Sequence, residues 1–546
     1  MKKHRKFAVI DSETPPFIFG REDLSPFLWG YFDGDEYQQF EKTADLVAFI
    51  KERDEIIYAH NGGKFDYHFL SDYFEPDSPI MLINGRIAKL KLGQCELRDS
   101  YNIIPAPLAD FQKTKIDYST FEADQRYKPE NWGAIQSYLK DDCVDLYNLI
   151  SAFIDKHGYA LTQAGAAMKY FKKLYKVDVK TDAYFFDHFK NFYYGGRVQA
   201  FKRGIITTDF SVYDINSAYP YAMLENHWFD TKIVSKRKPI EYANQRPDAF
   251  FDVSCISDGI FPYRLQVGDK LIYPTDKKVR RYYVTGWEVK TALKWGLLSD
   301  ITVHNVYVPD NTINFSDYIL PIYKDRLAAK DAGDKANTLL LKLLMNSLYG
   351  KFGANPSNYT RAHLFDNTYF KKLSTTGVHW KDGRESQYRD DPLYLLGGQL
   401  GQTLIGQRDL YDFEKHYYNV GTAASITGYV RAYLYDAIMT TGRENCLYCD
   451  TDSIATTNGA SLNTGKELGQ WKYEGDFYEA AIAGRKMYAF YSQDGEHKTA
   501  SKGVRLTANE IRSLAQGDKV TAQKDAPCFS TRFGMRYIER NIVATE

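Results

Sequence analysis

Short apolar runs that end abruptly in polar or acidic residues most limit what this chain can fold into. Phe7 to Ile10 runs into Asp11, and Ile56 to Ala59 into His60-Asn61-Gly62-Gly63. Ser211 to Ile215 carries Asp214, and Cys446 to Cys449 runs into Asp450-Thr451-Asp452. A continuous apolar run of this length ending in acid reads as a buried strand with polar groups at its tip. Residues 135–155 read as a helix, with Leu139, Leu146, Leu149, Ile150 and Phe153 near helical spacing. Strands followed by a helix, with acids at the strand ends, predict an α/β first domain of about 150–160 residues.

The 546 residues allow roughly three or four such units. A helical link (about 160–190) leads to the turn Tyr193-Tyr194-Gly195-Gly196. Residues 235–310 mix short strands with basic clusters, notably Lys277-Lys278-Val279-Arg280-Arg281, whose neighbours Tyr282 and Tyr283 suit single-strand binding. Residues 317–350 predict a helical hairpin broken at Ala332-Gly333-Asp334. Residues 356–420 show no sustained period and read as an insertion, and a helix over about 423–441 follows.

Hydrophobic residues at 44% and charged residues at 26% exclude a mainly disordered chain. Lys+Arg and Asp+Glu both number 70, so no net basicity points to a nucleic-acid partner. Six cysteines in so long a chain make no disulfide framework and fit a reducing compartment. The apolar run after the basic N-terminus is too short for a signal-peptide core, and no stretch approaches a membrane span. The expectation is a soluble cytosolic protein.

Three constellations carry chemistry. Asp11 and Glu13 share one face of a strand, Asp66 follows a Gly-Gly turn, and Tyr138 and Asp142 share one face of a helix. Converging carboxylates repel unless cations sit among them, which predicts Mg²⁺ or Mn²⁺ with oxygen ligands, two per site. Asp214, Asp450 and Asp452, at the tips of two apolar strands, predict a second such site for in-line displacement at phosphorus. Lys342, Asn346 and Tyr349 form one stripe of a helix suited to a triphosphate and a base, and Lys330 could reach the same phosphates. Cys446 and Cys449, at i and i+3 of a strand, should face opposite sides, against zinc or redox chemistry. No Gly-Lys dipeptide completes a Walker A loop, and no organic cofactor is expected.

These strings resemble the protein-primed family B DNA polymerases of phages and linear replicons, most closely the tectivirus type. Asp11-Ser12-Glu13, Asn61 to Asp66 and Tyr138-x-x-x-Asp142 are similar to the three proofreading exonuclease motifs. Tyr193 to Gly196 matches Tyr-x-Gly-Gly. Asp214 to Pro220, Lys342 to Gly350 and Tyr448 to Ser453 resemble the three polymerase motifs, and Lys486-Met487-Tyr488 the primer-binding Lys-x-Tyr. The resemblance implies an α/β multidomain fold: an RNase H-like 3′–5′ exonuclease (1–160), a linker (161–190), and a palm split into 191–255 and 421–504. Two insertions (256–316 and 356–420), fingers (317–355) and a thumb (505–546) complete it.

The resemblance also implies roles. Asp214 and Asp452 would hold two Mg²⁺ ions with Asp450 supporting, while Lys342 and Lys330 neutralise the triphosphate. Tyr219 would pack under the sugar and Tyr349 against the nascent pair, with Asn346 on the nucleotide side and Ser217 and Gly350 near DNA. Lys486, Tyr488 and Tyr193 would hold DNA, and Gly195 and Gly196 would let the template approach closely. Asp11, Glu13, Asp66 and Asp142 would bind the exonuclease metals, Tyr138 would orient the water, and Asn61 and Phe65 would touch the frayed primer end. Implied partners are primer–template DNA, dNTPs, a terminal protein that primes synthesis and a single-stranded-DNA-binding protein, with no membrane, in a host cytoplasm. Other readings are an exonuclease with an inactive polymerase half, a DNA-primed or primer-independent relative, and a non-catalytic nucleic-acid-binding module.

Overall fold

The computed structural model describes residues 6–108, 115–265, 270–366, 394–407 and 417–544. The chain opens with β1 (Lys6–Glu13), β2 (Leu28–Phe32), β3 (Tyr37–Phe40), α1 (Thr43–Lys51) and β4 (Glu55–Ala59). β5 (Pro79–Ile83), β6 (Arg86–Leu92), β7 (Cys95–Asp99) and the long helix α2 (Pro129–His157) follow. β1, β4 and β7 run parallel, and the other strands add antiparallel.

The unbroken apolar run in β1 reflects two covered faces. Ala8 and Ile10 lie in one core with Leu46, Val47 and Ile50 of α1, and Val9 in another with Ile135, Leu139 and Leu146 of α2. Side chains alternate along a strand, so Asp11 and Glu13 share the Val9 face and look toward α2. Pro129 at the first turn of α2 and Gly158 just past its end (φ 63°) set its limits. Its buried stripe contains Tyr138 and Asp142 among apolar residues.

Strands Tyr359–Asp366, Thr403–Gln407 and Tyr394–Leu400 extend this sheet beyond β5. The segment 356–420, read as an insertion, thus lends strands to the N-terminal sheet; its middle lies outside the described residues.

A second sheet uses β8 (Gly204–Ile215), β9 (Cys446–Asp450), β10 (Ser453–Thr456), β11 (Trp471–Gly484), β12 (Met487–Tyr491) and β13 (His497–Ser501). Its order is β13-β12-β11-β8-β10-β9, with Val198–Ala200 at the far edge. Behind it lies α5 (Val420–Thr441), and α3 (Ser316–Asp331) and α4 (Lys335–Phe352) form the expected hairpin. Between Cys446 and Tyr448 the register shifts, so Cys446 and Cys449 enter the same core while Leu447 and Tyr448 enter another. The expectation of opposite faces therefore fails, because one bulge resets the alternation. Both thiols are buried.

A four-stranded sheet follows the order 235–236, 298–307, 250–257, 280–285. Strand Phe250–Ser257 runs through the expected boundary at 255/256. In the neighbouring basic cluster Tyr282 is buried and offers no stacking face, Tyr283 is half-buried, and Arg281 forks onto Asp252 and Arg280 onto Asp276. Among the described residues, no helix is long and apolar enough to cross a membrane.

Candidate active sites

The tip of β1 and the buried stripe of α2 bring Asp11, Glu13 and Asp142 together, with ligand oxygens all within 4.8 Å of one another. Three carboxylates at that spacing, two of them buried, suit a divalent cation with oxygen ligands. Asp66 stands outside that trio. It is buried, burial pushes its carboxyl up, and it accepts a 2.6 Å hydrogen bond from Ser12 Oγ on the opposite face of β1. The Tyr138 hydroxyl lies 2.9 Å from that of Tyr118, a neighbour with no sequence motif. Asn61 adopts φ 62°, and its Oδ1 accepts from Arg86 Nη1 at 2.7 Å, while Arg86 also pairs with buried Asp99. Phe65 lies edge-on to Phe17, Phe69 and Phe529.

In the second sheet, Ser453 of β10 pairs with Asp214 of β8 on one side and with Asp450 of β9 on the other. One row of the ladder therefore carries both acids, and Ile215 N donates to Asp452 O at 2.8 Å. Burial and neighbouring Glu474 push the Asp214 carboxyl up to about 6, against Lys498, Lys472 and Lys342. Burial, then Asp214 and Asp450, push Asp452 up to about 7. Asp450 is held differently, because Lys486 Nζ donates to it at 2.6 Å. A half-buried acid pair that resists ionising alone fits a site built for divalent cations.

Asp450 and Asp452 flank Thr451 in a tight hairpin turn. Thr451 has φ 62°, rare for a β-branched residue and a mark of local strain. Its N–H donates to Arg197 O at 2.6 Å and its Oγ1 to Asp450 Oδ1 at 3.0 Å. A Cβ on Gly196 would meet the Thr451 side chain at 2.6 Å, whereas one on Gly195 would meet nothing within 4 Å. In the fold, Gly196 makes room for the acidic turn, a constraint that Gly195 does not share.

The Tyr219 and Tyr349 rings stack at 4.1 Å and 11°. Asn346 does not project its amide freely, since Nδ2 donates to Lys342 O within α4. Lys330 ends α3 exposed, and Arg326 one turn earlier reaches Ser217 Oγ at 3.4 Å. Burial lowers the pKa of Arg326. Ser217 itself has φ 53° at the start of the short helix bearing Tyr219. Tyr193 packs where Gly353 has no side chain, and a Cβ on Gly350 would meet open space. Tyr488 is buried against Tyr448 and Phe490.

Residues without a motif hold these parts. Arg431, buried on α5, pairs with Glu288 at 2.8 Å and donates to Tyr194 O and Gly195 O. Its trace in the sequence is the single arginine of a largely buried helix, which must find a partner. Arg197, also buried, lies over the Tyr273 and Tyr435 rings at 3.9 and 4.3 Å.

Residues 111–385 match the family model of type B DNA polymerases, organellar and viral. The chain is 32% identical, across all of its length and 99% of the relative's, to the DNA-directed DNA polymerase of Enterobacteria phage PRD1. It is 23% identical, over 87% of both chains, to the DNA polymerase of Streptococcus phage Cp-1. Its fold superposes on Phi29 DNA polymerase complexed with primer–template DNA and incoming nucleotide, at TM-score 0.70 and 18% identity, covering 99% of this chain and 100% of that one. The chain belongs to the protein-primed family B DNA polymerases. Its fold is the exonuclease domain plus palm, fingers and thumb of that group, and it is a phage-type DNA-directed DNA polymerase.

Proposed function

We propose that this chain replicates a linear genome, extending primer–template DNA with dNTPs and removing mispaired 3′ ends. The observation that carries the reading is two separate carboxylate clusters, Asp11 and Glu13 at a strand tip with Asp142 of α2, and Asp214 beside Asp450 at neighbouring strand tips of the second sheet. Asp214 and Asp452 would hold Mg²⁺ for synthesis, and Asp11, Glu13 and Asp142 for 3′–5′ hydrolysis. Bound divalent cations supply an activated hydroxyl or water and stabilise the charge developing on the leaving oxygen.

The chain's own residues do the rest. Lys342 and Arg326 offer positive charge to the triphosphate, the Tyr219–Tyr349 stack sets the floor under sugar and base, and Lys486 holds Asp450 toward the primer side. Tyr138 with Tyr118 fixes hydroxyls beside the hydrolytic acids. Initiation on a hydroxyl of a terminal protein is proposed from family membership, as is a downstream single-stranded-DNA-binding partner.

The test uses an end-labelled primer–template with Mg²⁺, with and without dNTPs. Wild type should extend the primer with dNTPs and shorten it without them. Asp452→Asn should abolish extension and keep shortening, and Asp142→Asn should do the reverse. Loss of both activities in both variants would mean that the two clusters are not separate sites. Labelled dNMP transfer to the replicon's terminal protein tests priming.

A further inference from the structure

Between the N-terminal acid trio and the C-terminal strands lies a cavity of about 1080 Å³, larger than the roughly 300–1,000 Å³ typical of a small-ligand pocket. Asp11, Glu13 and Asp142 line it, as do Arg505, Lys524 and Arg540 of the C-terminal segment, all exposed, with Asp525 the one acid among them. Acids and cations lining one cleft suit a polyanion whose end reaches the acids. The loop after β1, Pro15-Pro16-Phe17-Ile18, also lines it through Phe17.

That loop is tied at its far end. Tyr537 OH donates to Arg21 O at 2.9 Å, Phe19 packs edge-on to Tyr537, and Arg21 forks onto Glu122 at 2.8 and 3.0 Å. Two prolines stiffen its start. Phe17 nevertheless stays 42% exposed, its ring edge-on to Phe65 with centroids 5.6 Å apart. An aromatic ring held on a braced loop, beside a cation-walled cleft, offers a face to a nucleobase.

We propose that Phe17 is a stacking platform, beside Phe65, for the single-stranded 3′ end of DNA entering the Asp11–Glu13–Asp142 site. It rests on the proofreading reading above and adds a positioning residue to it. Stacking of one base on an aromatic side chain is worth roughly fivefold to a hundredfold or more in affinity by alanine substitution, and about tenfold lies in the lower part of that range.

The test compares full-length wild type, Phe17→Ala, Phe17→Tyr and Ile18→Ala. In EDTA, an oligodeoxynucleotide with 2-aminopurine at its 3′ end reports stacking by quenching. Wild type, Phe17→Tyr and Ile18→Ala should quench it. Phe17→Ala should lose the quench, bind about tenfold more weakly, and with Mg²⁺ raise KM for single-stranded DNA by a similar factor with little change in kcat. Wild-type quenching and KM in Phe17→Ala, or equal damage from Ile18→Ala, would overturn the platform. If wild type degrades no single strand with Mg²⁺ or Mn²⁺, the proofreading reading fails instead, and the binding arm still decides the platform by itself.

Discussion

Replacing Gly196 by Ala should disable synthesis by moving an acidic turn that the residue does not chemically touch. The added Cβ would lie 2.6 Å from Thr451 Cγ2, 2.8 Å from Oγ1 and 2.9 Å from Cβ. Ordinary contact begins near 3.5 Å, so Thr451 must retreat by roughly 1 Å, and it is a short branched side chain already at φ 62°. Its N–H is anchored to Arg197 O, so the shift passes to Asp450 and Asp452 on either side. A misplacement of about 1 Å in a reacting constellation costs on the order of a hundredfold in rate. Single-turnover primer extension should fall by that factor, while shortening of a single-stranded 3′ end, served by the other sheet, is the internal reference. Thr451→Gly in the same chain removes both the clash and the disfavoured φ, and should restore most of the rate. If Gly196 instead matters through the template, Thr451→Gly will not rescue it. Wild-type extension by Gly196→Ala, or no rescue, would refute the reasoning.

Arg431→Met should leave the Glu288 carboxylate buried beside Thr285 alone and cost about 3–5 kcal/mol in urea unfolding; Arg431→Met with Glu288→Leu should cost less. His227 is buried, with Nε2 2.6 Å from Ala222 O and Nδ1 2.9 Å from Ser425 Oγ, and burial pushes it down to about 4 from the usual 6.5. A depressed folded value means the unfolded chain takes up the proton first. The contribution is therefore intact above pH 6.5 and lost as pH falls toward 4, by roughly 3 kcal/mol. Unfolding free energy against pH should be flatter over that window in His227→Gln, and identical slopes would remove His227 as the cause.

The strand tips and helix faces were legible in the sequence because they depend on local periodicity. Unbroken apolar runs require covering on both faces, and alternation from Val9 already aims Asp11 and Glu13 at one neighbour. The hairpin α3–α4 follows from apolar spacing and one Gly-Asp break. What the sequence could not carry were contacts between distant residues. Asp66 matched its motif, but its hydrogen bond from Ser12 is a contact between residues 54 apart that no local pattern records. The contact of Gly196 with Thr451 is invisible locally, because only the fold brings the two together. One bulge reversed the facing of Cys446 and Cys449, and a local pattern does not record register. The strands after Tyr359 joined the N-terminal sheet because an open edge at β5 offers paired hydrogen bonds to any strand the chain delivers there. Periodicity and residue chemistry thus determined the elements and the acids they carry. Packing across the chain decided which acids meet, which arginines brace them and which aromatic ring is left facing the cleft, because those free energies depend on contacts between residues far apart in sequence.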